Sequence, residues 1–472
     1  MADSLPANAL PDASAAKAAA RPQLKSGSSN PNMNGPLYMQ TASSNIVLVR
    51  RLKRKDESTW KHLARWFVEN QIGLSFNLLA LLFLAHFFIP KARSHTHKFF
   101  HLAYHNPETN KYGIGFDDAY FIAFCVVLFT GTRAVAMEYI LAPFARLQGV
   151  TKRKILTRFS EQAWLFVYYA VFWTLGMYIY SKSPYYLNMK GLWIGWPKRE
   201  LDGLVKGYIL AQWAFWLQQI IVINIEERRK DHWQMFSHHI ITTALIWSCY
   251  CYHQTRVGNF ILVIMDVVDL FFPVAKCLKY TGHNTLCDIA FGVFMVSWFV
   301  ARHILYLLVC WSVYYDSATQ INTGCYTGIA STLEGPKAPP SGMSYMLEPF
   351  FNSTGRVCYD DRVKWAFLLP LLLLQVITIA WFTMIVRVAI KVIRGDGAED
   401  TRSDDEDEVE DEDEFVYEEA LEEEVSVDSL NLKNWERRTG IKRQASSSGV
   451  SLPGHSDRKE LLGRIGCEKQ VE

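Results

Sequence analysis

The sequence predicts an all-α, polytopic membrane protein with about eight transmembrane helices. Half of the 472 residues are hydrophobic, the apolar residues collect in long runs, and polar segments flank these runs on both sides. A spanning helix needs about 20 mostly apolar residues to cross a hydrocarbon core about 30 Å thick. The runs that satisfy this requirement are 71–90, 117–142, 160–181, 204–225, 235–252, 256–278, 285–314 and 364–393.

Composition divides the chain into four regions. They are a basic N-terminal region (1–70), a first span with its loop (71–116), the main membrane domain (117–393) and an acidic tail (394–472). The two end regions are poor in apolar residues, and we predict them to be disordered. Residues 399–424 hold 17 acidic residues and one arginine, so the rest of the chain carries about +18, which is typical of a domain that faces a membrane. We expect no nucleic-acid partner.

Basic loops predict the orientation in the membrane. Lysine and arginine cluster at 50–55, 146–158 and 226–230, and short loops rich in these residues stay in the cytosol. Eight crossings then place both termini in the cytosol. The loops 91–116, 182–203, 253–255 and 315–363 fall on the lumenal side.

The last lumenal loop and the tail carry candidate modification sites. Asn352 begins the sequon Asn-Ser-Thr, and Cys325 and Cys358 lie in the same loop. Glycans and disulfides form in the lumen, so these residues agree with the predicted orientation; a chance sequon and two separate packing cysteines are the alternative. Ser403 precedes the acids DDEDE and resembles an acceptor site for an acid-directed kinase, although a solvated tail without a switch fits equally well.

Four ionisable residues within two adjacent spans form the candidate active site. His238 and His239 open the run FSHHIITTALIWSCYCY, and Asp266 and Asp269 lie inside the next run. A charge near the bilayer centre costs about 2.5–3.5 kcal/mol on insertion scales, so ionisable residues there are candidates for function. His239 and Asp269 each lie about 15 residues from Gln254 in the connecting turn, which is about 22 Å along each helix. We therefore expect one carboxylate to orient an imidazole across the hairpin.

Several kinds of chemistry fit this cluster. A histidine beside carboxylates can act as a general base or as a nucleophile. A structural ion pair and a zinc site with carboxylate ligands are the alternatives. The chain has 13 histidines, and only the pair at 238–239 resembles a metal-binding box, so we expect no metal and no cofactor. The nearby Arg228, Arg229 and Lys230 either set the topology or bind the phosphates of a substrate with a long apolar tail, such as an acyl-coenzyme A.

The stretch around these residues resembles the Lag motif of ceramide synthases, which belong to the TLC superfamily. The matching elements are RRKDHWQMFSHH, TRVG, the two aspartates of MDVVD, and AK followed by KY, all within 228–280. The likeness extends over about 117–393, and the extra first span and acidic tail resemble fungal members. It implies a bundle of six helices around a lipid chamber, in the endoplasmic reticulum membrane.

The resemblance also implies an activity. Ceramide synthases join the acyl group of acyl-coenzyme A to the amine of a sphingoid base, and His238, His239, Asp266 and Asp269 match their site residues. Either a histidine deprotonates the amine for direct attack, or a histidine carries the acyl group first, which we favour. A lipid-binding, sensing or transport protein without acyl transfer is the alternative. A small single-pass accessory subunit and a homo- or heterodimer are open partners, besides the substrates and the bilayer.

Overall fold

The computed structural model describes residues 37–40, 46–49, 59–225 and 232–394. Helices dominate the part from residue 59 onwards. The first are α1 (Thr59–Phe88), α2 (Pro90–Phe100), α3 (Asp118–Val135), α4 (Ala142–Leu147), α5 (Arg153–Ser181), α6 (Gly203–Ile225) and α7 (His232–Cys251). They are followed by α8 (Thr255–Asp266), α9 (Val268–Tyr280), α10 (Asn284–Trp298), α11 (Tyr306–Tyr314), α12 (Asp316–Gln320), α13 (Glu348–Phe351) and α14 (Asp361–Arg394).

Six helical stretches in the described part of the chain are long and apolar enough to cross a membrane. They are His62–Phe88, Asp118–Leu147, Arg153–Ser181, Gly203–Ile225, Asn284–Gln320 and Asp361–Lys391. The prediction of an all-α, polytopic membrane protein is thus confirmed. These six stretches coincide with six of the eight predicted spans.

The remaining two predicted spans are also helical, and they carry the candidate site. The helix α7 is apolar on average but contains several polar side chains, among them both histidines. The helices α8 and α9 are separated only by Val267, whose φ of −57° and ψ of −35° are helical. They therefore follow one another as a nearly continuous helix with an interruption between the two aspartates.

Two π-helical segments interrupt the long helices. Ala136–Leu141 joins α3 to α4, and Phe299–Leu305 joins α10 to α11. A π turn inserts one extra residue into a helix and changes the direction in which the following side chains point, and such turns are frequent at functional sites. The second segment carries Arg302, which belongs to the candidate site.

The loop between α12 and α14 folds into a small sheet. Its strands are β5 (Gly324–Thr327), β6 (Glu334–Lys337) and β7 (Val357–Tyr359), with β5 in the centre and both pairings antiparallel. Cys325 and Cys358 lie opposite each other and form a disulfide, as predicted. A second antiparallel pair, β3 (His105–Asn106) with β4 (Lys111–Tyr112), shapes the loop after α2.

A buried arginine fixes the sheet to the neighbouring loops. Arg199 is 7% exposed and donates hydrogen bonds to the carbonyls of Ser353, Tyr326 and Gly355 at 2.8–3.2 Å. It also donates to Nε2 of His253, in the turn between α7 and α8, at 3.0 Å. One side chain thus joins three loops that the predicted topology places on the lumenal side.

The region 1–70 differs in part from the predicted disorder. Strands β1 (Leu37–Gln40) and β2 (Ile46–Val49) pair antiparallel in a unit of their own, and α1 begins at Thr59. The β-branched and aromatic residues of these two segments, IVLV and LYMQ, favour strands, which explains the difference. The predicted disorder of 394–472 concerns residues that lie outside the described part, apart from Arg394.

Candidate active site

His239 is held by the backbone of its own helix. Its side chain is 5% exposed, and its Nδ1 lies 2.6 Å from the carbonyl oxygen of Met235, one turn earlier in α7. A carbonyl only accepts hydrogen bonds, so Nδ1 carries the proton and Nε2 of the neutral ring keeps its lone pair. The backbone thus fixes the tautomer of His239.

His238 is placed differently from its neighbour. Its ring is half-buried and lies 5.5 Å from that of His239, nearly perpendicular to it. The rings of Trp216 on α6 and Trp381 on α14 contact it edge to face at 5.5 and 5.2 Å. Its Nδ1 is buried and has no hydrogen-bond partner among the described residues. A buried polar atom without a partner is costly, which marks this nitrogen as a point for ligand contact.

Asp266 belongs to a hydrogen-bond network in the membrane interior. It is 1% exposed and accepts a hydrogen bond from Nε2 of Gln212 on α6 at 2.8 Å. The hydroxyl of Tyr168 on α5 donates to Oε1 of the same glutamine at 2.8 Å, so both ends of the amide are fixed. Gln212 of α6 thus holds the carboxylate in one orientation, and Tyr168 of α5 holds Gln212 in turn.

Asp269 forms an ion pair that the sequence analysis missed. Nη2 of Arg302 lies 2.9 Å from its Oδ2 and also donates to the carbonyl of Met265 at 3.3 Å. The guanidinium lies over the ring of Trp298 at 4.0 Å, which stabilises the cation by a cation–π interaction. The ring of Trp298 contacts that of Trp381 at 6.5 Å, and Trp381 contacts His238 at 5.2 Å, so a row of aromatic rings connects the ion pair to the histidine.

The structure corrects the expected pairing within the site. Each side chain for which a partner was expected across the hairpin contacts a different group. His239 contacts the Met235 carbonyl, Asp266 contacts Gln212, and Asp269 contacts Arg302. The carbonyl four residues earlier is always within reach of a helical histidine, and a cationic arginine attracts a carboxylate more strongly than a neutral imidazole does. Met235 of α7 nevertheless belongs to the same apolar cluster as Val267 and Val268, so this cluster connects the two parts of the site.

Two of the missed residues had a recognisable signal in the sequence. Arg302 is an ionisable residue inside a predicted span, and Gln212 is a polar residue in the middle of another. The criterion that selected His238 and Asp266 therefore also selects Arg302. No comparable signal identified Tyr168, since tyrosine is common throughout these helices.

The remaining predicted residues fall in different places. Arg228, Arg229, Lys230 and Ser403 lie outside the described residues. Asn352 is exposed, and its Oδ1 accepts a hydrogen bond from Thr354 at 3.1 Å within the sequon. Within the described ranges, no group of three or more His, Cys, Asp or Glu side chains could hold a metal ion. The absence of a metal cofactor stays a prediction.

The chain is similar to known proteins over most of its length. A family model of the TLC domain matches residues 158–387, which is narrower than the predicted 117–393. Ceramide Synthase FUM18 of Gibberella moniliformis is 49% identical over 397 residues, covering 84% of this chain and 90% of the relative. The Sphingosine N-acyltransferase-like protein ALT7 of Alternaria alternata is 47% identical, covering 72% and 77%.

A more distant relative shows the same likeness. Sphingosine N-acyltransferase lag1 of Schizosaccharomyces pombe is 39% identical over 319 residues, covering 68% of this chain and 75% of the relative. The matched TLC-domain range contains both histidines, both aspartates and Arg302. The chain therefore belongs to the ceramide synthase family of TLC-domain acyltransferases.

Proposed function

We propose that this chain is a ceramide synthase that transfers a long-chain acyl group from acyl-coenzyme A to the amine of a sphingoid base, such as sphinganine or phytosphingosine. The relatives named ceramide synthase and sphingosine N-acyltransferase support the reaction. The observation that carries the proposal is the histidine pair beside an arginine–carboxylate pair inside apolar helices. Both substrates have long apolar chains, so a reaction site within the membrane suits them.

We assign the nucleophile to His238. A nucleophilic nitrogen must have an available lone pair and room for the acyl group. His238 is half-buried and its Nδ1 has no partner among the described residues, whereas His239 is almost fully buried, which leaves less room for an acyl group beside its Nε2. His239 is then a positioning residue that packs against His238, and Trp216 contacts both rings.

The reaction has two steps in this account. A ring nitrogen of His238 attacks the thioester carbonyl, the C–S bond breaks, and the thiolate of coenzyme A takes the proton that the imidazole loses. The sphingoid amine then attacks the acyl-imidazole, the bond between carbonyl carbon and imidazole breaks, and the amine proton passes to the leaving imidazole. The products are the amide, free coenzyme A and the regenerated histidine. Exclusion of water protects the acyl-imidazole between the steps.

The ion pair of Asp269 with Arg302 tunes the site electrostatically. Arg302 places a positive charge near His238, and Asp269 compensates it, so the site stays close to neutral before substrate binds. Asp266, fixed by Gln212, adds a carboxylate next to this pair. Charges in a medium of low dielectric act strongly at short range, so small changes here should alter the rate.

We place the protein in the endoplasmic reticulum membrane with both termini in the cytosol. The C-terminal end of α7 lies on the side of the disulfide-linked sheet, since Tyr252 donates to the Met346 carbonyl and Trp196 donates to the Tyr252 carbonyl. The histidines lie toward the other end of α7, which begins at His232. We propose that Arg228, Arg229 and Lys230, which precede this helix in the sequence, bind the phosphates of coenzyme A. An Asn352→Gln variant should lose the shift produced by a glycosidase; a shift that persists contradicts the lumenal assignment.

The decisive experiment is an assay of the purified full-length protein. Acyl-coenzyme A of increasing chain length is supplied with sphinganine or phytosphingosine, and the N-acyl product is measured by mass spectrometry. With acyl-coenzyme A alone, up to one equivalent of coenzyme A should be released, and one acyl group should appear on the peptide that contains His238. Release that strictly requires the base, without an adduct, favours direct attack with histidine as general base.

Absence of product with every chain length and both bases would favour a lipid-binding, sensing or transport role instead. Binding of either lipid without turnover would be the corresponding positive result.

A further inference from the structure

Two threonines beside the histidines differ from the other helical threonines. In the described helices, most threonine hydroxyls donate to a carbonyl three or four residues earlier, which is the usual arrangement. This holds for Thr96, Thr130, Thr132, Thr157, Thr174, Thr281, Thr378 and Thr383. Thr242 and Thr243 depart from it, since each Oγ1 is buried and has no partner within the described ranges.

Thr242 lies one helical turn after His238. Residues four apart share one face of a helix, and the Cα–Cβ bond of each residue tilts toward the N-terminus. The side chain of Thr242 therefore leans toward His238, about 6 Å away along the axis. Thr243 has the same relation to His239. A hydroxyl without a partner thus lies next to the nucleophile that we propose.

Two further hydrogen-bond donors surround the same ring. Trp216 and Trp381 contact the ring of His238 edge to face. Their indole Nε1 atoms are buried and, like the Thr242 hydroxyl, lack an acceptor in the described part of the chain. An indole N–H only donates, and a hydroxyl can donate as well. The side chains around the nucleophile therefore offer donors that the protein itself leaves unused.

We propose that the Thr242 hydroxyl, assisted by the indole N–H groups of Trp216 and Trp381, binds the acyl carbonyl oxygen and stabilises the oxyanion formed at it. This inference rests on the proposed function. Attack on the thioester and attack on the acyl-imidazole both place negative charge on this oxygen. Fixed donors in a dry site stabilise such charge effectively, because they need no reorganisation during the reaction.

The test replaces the hydroxyl by a methyl group of similar shape. Thr242→Val should lower kcat by about 100-fold, with little change in KM for either substrate, because the donor acts mainly in the transition state. Coenzyme A release with acyl-coenzyme A alone should slow by a similar factor. Thr242→Ser keeps the hydroxyl and should retain most activity. Thr130→Val is the matched control, since that hydroxyl already donates to Val126 at 2.8 Å, and it should behave like the wild type.

The indoles are tested in the same assay. Trp216→Phe and Trp381→Phe remove the N–H groups and keep an aromatic ring, and each should slow kcat more than Trp173→Phe, whose N–H already donates to the Val263 carbonyl at 3.1 Å. Wild-type kcat in Thr242→Val overturns the proposal, and so does a Thr242→Ser variant as slow as Thr242→Val, or a larger loss in Thr243→Val. A wild-type protein that forms no N-acyl product contradicts the proposed function itself, which separates the two failures.

Discussion

Two ion pairs, the first fully buried and the second partly buried, have similar components and different surroundings. Lys206 lies 2.6 Å from Asp118, and Arg302 lies 2.9 Å from Asp269. The first pair contacts α7 through Tyr250, whose hydroxyl donates to Asp118 at 2.7 Å. The second is connected to α7 through aromatic rings, since Arg302 lies over Trp298, Trp298 contacts Trp381, and Trp381 contacts His238.

The two pairs differ in how completely the protein surrounds them. Lys206 is 0% exposed, and its ammonium group donates to Asp118 and to the carbonyls of Ala103 and Gly113, which uses all three of its protons. Near the other pair, Nε of Arg302 and Nδ1 of His238 are buried without a partner in the described part of the chain. An ion pair whose hydrogen-bond donors all have partners within the protein stabilises the fold, whereas buried polar groups without such partners are available to a substrate.

Removal of the nucleophile should have the largest effect on activity. His238→Ala should lower ceramide formation by about 1,000-fold or more, because no other group can carry the acyl chain. Expression and thermal stability should stay close to wild type, since the ring makes no hydrogen bond through Nδ1 to the described residues. His283→Ala, at an exposed histidine, is the control. Full activity of His238→Ala would show that catalysis does not take place in the region of His238 and the Arg302–Asp269 pair.

Neutralisation of Asp269 should have the next largest effect. Asp269→Asn keeps the shape of the side chain but leaves the positive charge of Arg302 uncompensated beside His238, so kcat should fall by about tenfold or more. Asp288→Asn, at an exposed aspartate of α10, serves as the matched control. Kinetics at saturating concentrations of both substrates measure the effect, and a variant with unchanged kcat would remove the ion pair from the mechanism.

Loss of the Lys206–Asp118 pair should lower the stability of the protein rather than its activity. Lys206→Met leaves the buried Asp118 without its cation, and such a loss typically costs about 3–5 kcal/mol. We expect a lower Tm of the purified protein, with near-normal kcat per folded molecule. The double variant Lys206→Met with Asp118→Leu should recover much of the Tm, because it removes both charges. A selective loss of kcat at normal Tm would instead connect this pair to the reaction.

The smallest expected effect is a change of folding stability with pH, which depends on His253 in the loops that Arg199 connects. Burial and the neighbouring Arg199 lower the pKa of His253 to about 3 from an ordinary value of 6.5. The unfolded chain then binds more protons than the folded chain between these two values. Folding stability should therefore fall as the pH falls from about 6.5 toward about 3, by up to about 1.4 kcal/mol per pH unit.

A substitution isolates the contribution of His253. The variant His253→Gln has no group that titrates in this range and keeps an acceptor for Arg199, so its Tm should decline less steeply on acidification than that of the wild type. Equal declines in both proteins would mean that other groups control the acid stability of these loops.

The sequence by itself determined the class of the protein and the identity of most site residues. Apolar runs of about 20 residues can satisfy their backbone in a bilayer only as helices, so the six long stretches could be predicted directly. Ionisable residues inside such runs are rare and costly, and this rule selects His238, His239, Asp266 and Asp269, together with Arg302 and the residues of the Lys206–Asp118 pair. The two cysteines in the loop 315–363 likewise indicated a disulfide, and Cys325 and Cys358 form one.

The tertiary structure alone decided which of these groups contact one another. Spacing along two helices gave equal depths for His239 and Asp269, but depth does not fix the rotation of each helix about its axis. This rotation is set by packing against helices that are distant in sequence. As a result, Gln212 contacts Asp266, Arg302 contacts Asp269, and His239 contacts the Met235 carbonyl of its own helix. The same packing placed the unused donors of Thr242, Trp216 and Trp381 around one imidazole, which no local pattern could reveal.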